Sequence, residues 1–297
     1  MPMGRTALWL TEVHHHPMPH PLRYPIYVLS KGRWDLCLSV RFLLRDGVPF
    51  RLVVEPAEAE HYAAAFPTAD LLITPRDNMR LLGARNFVRD HSTEEGHARH
   101  WQLDDNIYFM CRMHRGLRFR MNARIAFAAM ETFTDRYTNI GLSGPNYMMF
   151  GIGKGEPPYR LNAHIYSCTL INNDMPYRHR LLYNDDTDLC LQVLAGGLCT
   201  VQFHTIQAHK RTTMMMKGGN TDDLYRDDGR LRMSRMLERQ WPGVVTTTRR
   251  FGRPQHAIAM NWRRFDTPLI RRTDIDWDAL EADGDGWAME LTEEAPA

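Results

Sequence analysis

From residue 24 the chain alternates short apolar runs with amphipathic ones. Residues 24–30 (YPIYVLS) read as a buried strand, 33–47 (RWDLCLSVRFLLRDG) has helical spacing and a glycine stop, and 50–55 (FRLVVE) is a second strand. A helix opened by proline follows at 56–66, then a strand at 70–75, a helix at 78–91 and a strand at 100–106 that runs into acids. This βαβαβαβ order predicts a parallel sheet with helices on its faces, and such sheets bind ligands beyond the carboxyl ends of their strands.

The second half is less regular. Residues 120–137 form an amphipathic helix and 140–159 read as a loop region rich in glycine and proline. Residues 164–173 are a strand, and 181–197 a helix with an acidic cap and a glycine stop. A strand at 198–203 and a loop at 207–220 (QAHKRTTMMMKGGN) come next, and no internal repeat is found. Residues 1–22 carry four prolines and four histidines without a hydrophobic period and read as a poorly ordered arm. Its adjacent His14, His15 and His16 point in different directions, so no metal site is expected there. The predicted division is an arm (1–22), a main domain (23–215, with halves meeting at 110 and 111), a C-terminal loop, helix and basic extension (216–272), and an acidic tail (273–297).

Charge changes this picture. The formal net charge of +2 hides a tail from 273 to 297 with nine acids and no Lys or Arg, so the other 272 residues carry +11. At 43% hydrophobic and 24% charged the composition is globular, which excludes disorder and collagen. No apolar run approaches the roughly 18 residues of a membrane span, and the N-terminus lacks the pattern of a secretory signal, so a soluble, cytoplasmic protein is expected. Five scattered cysteines without a CxxC pair suggest buried free thiols rather than disulfides or a zinc site.

The residues after the predicted strands are polar: Ser30, Lys31, Gly32 and Arg33, then Glu55, then Arg76, Asp77 and Asn78, then Asp104, Asp105 and Asn106. No G-x-G-x-x-G or G-x-x-x-x-G-K-[ST] follows a strand, which argues against a dinucleotide-binding domain and a P-loop enzyme. Two acidic clusters stand out: Asp104-Asp105-Asn106 at a strand end, and Asp185-Asp186-Thr187-Asp188 at a helix start. A diphosphate leaving group needs its charge neutralised, for which hard oxygen ligands can hold a divalent cation, and a separate carboxylate must take the proton of an incoming hydroxyl. Read singly, the first cluster could be a strand-ending turn, and the second is what any helix N-terminus prefers.

The runs LLGARN (81–86) and WQLDDN (101–106), in that order, resemble the G-x-A-R-N and D-x-D signature of GT-A fold glycosyltransferases, and NDDTDLCLQVLAGG (184–197) resembles the acidic helix start of the same enzymes. More narrowly, YPIYVLSKGR, LDDNI, YNDDTDLCLQ and QAHKRTTMMMKGGN resemble the TET-associated glycosyltransferases of bacteriophages, which attach sugars to 5-hydroxymethylcytosine in DNA. The resemblance implies an α/β fold of GT-A type, a Rossmann-like mixed sheet flanked by helices, with a basic C-terminal extension. It implies a UDP-sugar donor and a divalent cation, Mn²⁺ or Mg²⁺. Asp105 would be the direct metal ligand, Asp104 would meet the ribose or the metal's water shell, and His209 would be a further ligand. Asn106 departs from the usual final acid, and an amide binds a divalent ion more weakly. Asp186 would be the catalytic base of an inverting transfer, Asp185 its acidic neighbour, and Asp188 a cap or an acceptor contact, with Gln192 in place of the usual Arg. Glu55 would meet the nucleobase. Ser30, Lys31, Arg33, Arg76 and Arg85 lie where the diphosphate is expected, and Lys217 with Gly218 and Gly219 would close over it.

Seven arginines against one acid between 249 and 272, among them Arg249, Arg250, Arg263 and Arg264, are interleaved with Phe251, His256, Trp262 and Phe265. That mixture suits phosphate contact and base stacking, though a basic surface can also be merely solvated. The stretch 141–151, with Tyr147 and Phe150, is the candidate acceptor wall. Two other readings stay open: the same chemistry on a polysaccharide, lipid or protein acceptor, and an inactive GT-A module that only binds nucleic acid.

Overall fold

The computed structural model describes residues 21–114, 116–150, 157–211, 229–250, 253–258 and 265–283, with the side chains of Arg250, Arg253, Ile258 and residues 281–283 also left aside. The alternating first half forms β1 (Ile26–Leu29), α1 (Leu38–Arg45), β2 (Arg51–Val54), α2 (Ala59–Ala65, after a 3₁₀ turn at Pro56–Glu58), β3 (Asp70–Ile73), α3 (Arg80–Glu94) and β4 (Arg99–Asp104). β1 pairs in parallel with β2 and β4, and β2 with β3, as the βαβ pattern predicts. The period of two sorts the side chains. Ile26 and Val28 join the main core with Val40, Phe42 and Leu43 of α1, while Tyr27 packs on the other face with Val53 and with Val88 of α3.

Beyond β4 the sheet becomes mixed. A hairpin of β5 (Ile107–His114) and β6 (Leu117–Met121) leads into α4 (Ala123–Thr134), whose start is capped by Asn122 accepting from Arg124 N at 2.8 Å. There follow β7 (Ile140–Tyr147), β8 (Tyr159–Leu161), β9 (Cys168–Asn172), α5 (Asp185–Ala195) and β10 (Cys199–Lys210). The strand order is β3-β2-β1-β4-β9-β7-β10-β5-β6, with β8 on β10. The C-terminal part adds α6 (Gly229–Gln240), the antiparallel hairpin β11 (Val245–Arg250) and β12 (Arg253–Ile258), and α7 (Trp277–Asp283).

Three expectations are corrected. The stretch from 140, expected to be loop, is the buried strand β7 as far as Tyr147. Its glycines serve close packing: a Cβ on Gly144 would stand 2.2 Å from Cys168 O, and one on Gly141 2.7 Å from Val193 Cγ1. Pro145, which cannot donate to a ladder, pairs with Phe203 where the β7–β10 register shifts. The second correction is that the strand expected to end at 203 continues to Lys210, so Gln207–Lys210 belong to the sheet rather than to a loop. Third, the β5–β6 hairpin is absent from the predicted elements, although Leu117–Met121 alternates apolar and basic residues. The five cysteines are buried free thiols, as expected. Among the described residues, no helix is long and apolar enough to cross a membrane.

Candidate active site

The carboxyl end of β4 delivers two adjacent acids to different places. Asp104 faces α3, α5 and the end of β10. Its Oδ1 is 3.3 Å from Arg85 Nη2, and its Oδ2 accepts from Ser167 Oγ at 2.5 Å and from Lys210 Nζ at 3.1 Å. Asp105 turns under the loop after β1, accepting from Arg33 Nη1 at 2.6 Å and from Ser30 Oγ at 2.8 Å. Burial raises both carboxyl pKa values; for Asp104 the charges of Lys210 and Arg85 outweigh it and the net shift is downward, whereas for Asp105 burial wins over Arg33 and the net shift is upward.

The start of α5 closes the other side. Asn184 adopts a left-handed conformation (φ 50°), which asparagine tolerates better than most residues, and the helix begins at Asp185. Asp185 Oδ2 accepts from Arg85 Nη1 at 2.7 Å, so one guanidinium spans the two acidic clusters. Burial disfavours the charge on Arg85, but Asp185, Asp104 and Asp186 together push its pKa up. His179 Nδ1 lies 3.1 Å from Asp185 Oδ2 without hydrogen-bond alignment, and burial lowers the pKa of this ring.

Asp186 is the more open carboxylate, with its side chain 31% exposed against 10% for Asp185. Its Oδ2 is 3.5 Å from His164 Nε2, and its Oδ1 accepts from the Thr187 N–H at 2.7 Å. Burial opposes its charge, but His164, Arg85 and that N–H prevail and hold it well below the usual carboxylate range. Beside it runs an aromatic wall. His164 packs on Tyr166 (4.7 Å between centroids), Tyr166 meets Tyr147 edge to face (4.2 Å), and Tyr147 stacks on the exposed Phe150 (5.9 Å). Lys210 Nζ sits 4.9 Å from the Tyr147 ring centroid, and Ser167, itself at positive φ, accepts from both Tyr147 and Lys210.

Among the other predicted residues, Lys31 pairs with the buried Glu55 at 2.8 Å, and Ser30 also meets Tyr62 at 2.6 Å, so Ser30, Lys31, Arg33, Glu55 and Asp105 make one cluster at the β1 and β2 ends. Arg76 is exposed on the loop after β3. Asp188 does not face an acceptor: it is fully buried and accepts from Arg180 Nε (2.9 Å), Gln192 Nε2 (2.8 Å) and Trp241 Nε1 (2.7 Å). Gln192, in place of the usual Arg, thereby acts as an internal brace. Arg249 is exposed on β11, and Arg250 lies on the same strand with its side chain outside the described residues. Lys217, Arg263 and Arg264 lie outside the described residues.

The metal ligands implied by the resemblance do not converge. Asp105 is closed on Arg33 and Ser30, and His209 stacks over Tyr108 (5.1 Å) and packs on Phe109 (4.7 Å), while its neighbour Lys210 reaches Asp104. Among the described residues no group of three His, Cys, Asp or Glu could hold a metal ion. As gathered here, the side chains do not fit the divalent cation, because Arg85 and Lys210 already supply the positive charge around Asp104.

Sequence reasoning missed Lys210, Ser167, His164, His179 and Tyr166. Lys210 carried a signal: it belongs to an alternating continuation of β10 that the cluster of Lys, Arg and Thr after it masked.

A mixed sheet whose parallel strands end in polar residues, an acidic strand terminus and a facing acidic helix start agree with the GT-A type arrangement that the sequence motifs resemble. The chain belongs to the TET-associated glycosyltransferase family, whose model matches residues 24–219, and it is a glycosyltransferase. Among solved structures it is similar to a protein described as a nucleotide-diphospho-sugar transferase from Desulfovibrio desulfuricans G20 (10% identity, 74% of this chain and 98% of that one, TM-score 0.36). It is also similar to mannose-1-phosphate geranyltransferase from Thermus thermophilus (12% identity, 84% and 69%, TM-score 0.32). No curated protein matches.

Proposed function

We propose that the protein transfers a sugar from a UDP-sugar to the hydroxyl of 5-hydroxymethylcytosine in DNA, with inversion at the anomeric carbon and Asp186 as base. The observation that carries the reading is the placement of Asp186: partly exposed, held ionised by His164 and the Thr187 N–H, and across Arg85 and Asp185 from the strand-end acid Asp104. The family match and the +11 charge outside the tail support the DNA acceptor.

In this account the donor lies over the ends of β1, β2 and β4, with Glu55 toward the nucleobase and Ser30, Lys31 and Arg33 along the nucleotide. The acceptor oxygen attacks the anomeric carbon as the bond from that carbon to the β-phosphate oxygen breaks. UDP leaves with the electron pair, and the hydroxyl proton passes to Asp186. Arg85 and Lys210 offset the charge that builds on the leaving diphosphate, and no step passes through a metal. The aromatic wall of Tyr147, Tyr166 and Phe150 gives an extruded base a stacking surface.

The test is the dependence of UDP release on acceptor. A 5-hydroxymethylcytosine duplex should accelerate release from a UDP-sugar by two or more orders of magnitude over an unmodified duplex. Equal rates with both duplexes would refute the acceptor assignment.

A further inference from the structure

The part of the chain beyond the family match holds a second concentration of charge. Residues 229–258 carry seven arginines and one acid, Glu238. Glu238 is already engaged, accepting from Thr247 N at 3.2 Å and Thr247 Oγ1 at 2.8 Å, which pins α6 to β11. Arg232, Arg235 and Arg239 are exposed on α6. Their spacing of three and four residues puts them on one face, where like charges repel. An exposed arginine row of this kind suits an anionic partner by charge complementarity. At a rise of about 1.5 Å per residue the row runs roughly 10 Å, about three steps of a nucleic-acid strand at roughly 3.4 Å each. Arginine also offers the fork that pairs with phosphate oxygens. Arg235 and Arg239 border a groove completed by Glu238, Pro242, Gly243, Val245 and Thr246, with the Glu238 carboxylate turned to Thr247.

This unit is fixed to the catalytic helix. Trp241 Nε1, just past α6, donates to Asp188 Oδ1 at 2.7 Å, and Asn184 Nδ2, just before Asp185, donates to Met233 O at 3.2 Å. Leu237 and Val245 are buried together with Leu181 and with Leu191 of α5. His256 of β12 lies within the electrostatic reach of Asp186 and His164.

We infer that α6 with the β11–β12 hairpin is the platform that holds the phosphate backbone of a nucleic-acid acceptor, with Arg232, Arg235 and Arg239 as its phosphate contacts, docked on α5 so that the held strand is presented to Asp186. The inference rests on the DNA acceptor proposed above. The experiment uses the full chain and a 5-hydroxymethylcytosine duplex, with binding followed by fluorescence anisotropy at several salt concentrations. The triple variant Arg232→Gln/Arg235→Gln/Arg239→Gln should flatten the slope of log K against log salt by about 2 to 3, since each phosphate contact on duplex DNA contributes roughly 0.9. The triple Arg→Lys variant should keep the slope, and the single Arg239→Gln, on an exposed final turn where folding is not at stake, should flatten it by about 1. Donor hydrolysis without DNA should not change in any of them. An unchanged slope in the Gln variants, in a protein that still glycosylates the duplex, overturns the platform alone. A wild-type protein that neither binds nor modifies the duplex overturns the acceptor reading beneath it.

Discussion

Lys210 Nζ lies 3.1 Å from Asp104 Oδ2, joining the last residue of the long strand β10 to the last residue of β4. With Arg85 on the other carboxylate oxygen, it makes Asp104 the centre of a compensated cluster rather than a free metal ligand. The charge handling of the proposed reaction follows from this arrangement.

Lys210→Met should therefore lower kcat by about 10²-fold or more, comparable to the loss of one donor to a developing anion. Acceptor KM should stay within about threefold. An unchanged thermal melt and an unchanged stoichiometry of UDP binding in the variant separate this outcome from a loss of folded enzyme, which would also lower kcat without altering either KM.

Chelation addresses the same charge. Because Arg85 and Lys210 supply it, EDTA should leave turnover within about threefold of its untreated value. Abolition by EDTA with restoration by Mn²⁺ would place an ion at Asp104 and require Lys210 to give way.

In the proposed reaction His164 is the neighbour that tunes Asp186 as base. Asp186 is held below its ordinary pKa, so its carboxylate form is present above that folded value and is lost only as pH falls through it. His164→Gln removes the leading opposing charge, and the acid limb of kcat/KM should move to higher pH. Identical limbs in the two proteins would mean that another group limits the reaction.

Glu131 is a buried acid outside the site. It accepts from Trp101 Nε1 and Arg23 N, both at 2.8 Å, and burial is the main cause that pushes its pKa up to about 7 from 4.5. A raised folded value means that the folded state retains a proton the unfolded chain has lost, so stability is full below about pH 4.5 and declines as pH rises to about 7. The decline amounts to about 3 kcal/mol. In urea titrations across that interval, Glu131→Gln should abolish this part of the slope. A parallel decline in the variant would assign it elsewhere.

The parallel half of the fold was legible because its strands and helices differ in hydrophobic period, and the meeting of Asp104 and Arg85 with the start of α5 was foreshadowed because each sits in a run with a recognisable order. β7 was not. Gly141, Gly144 and Pro145 resemble turn chemistry, and only the contacts they permit with Val193 and Cys168 explain them as strand residues. The divergence of Asp104 from Asp105 was equally hidden, since adjacency in sequence does not show that Arg33 and Ser30 claim one while Arg85 and Lys210 claim the other. Asp188, three residues past Asp185, looked available for an acceptor until the distant Trp241 and the preceding loop's Arg180 buried it.

The central claim is tested most directly by mass spectrometry of nucleosides released from 5-hydroxymethylcytosine DNA after incubation with a panel of nucleotide sugars, run in parallel with the wild-type protein and Asp186→Asn. With a UDP-sugar the wild-type enzyme should give a glycosylated 5-hydroxymethyl-2′-deoxycytidine, reduced by about 10²- to 10⁴-fold in Asp186→Asn while donor binding persists. Absence of any sugar adduct with every donor, or equal adduct from the two proteins, would contradict it.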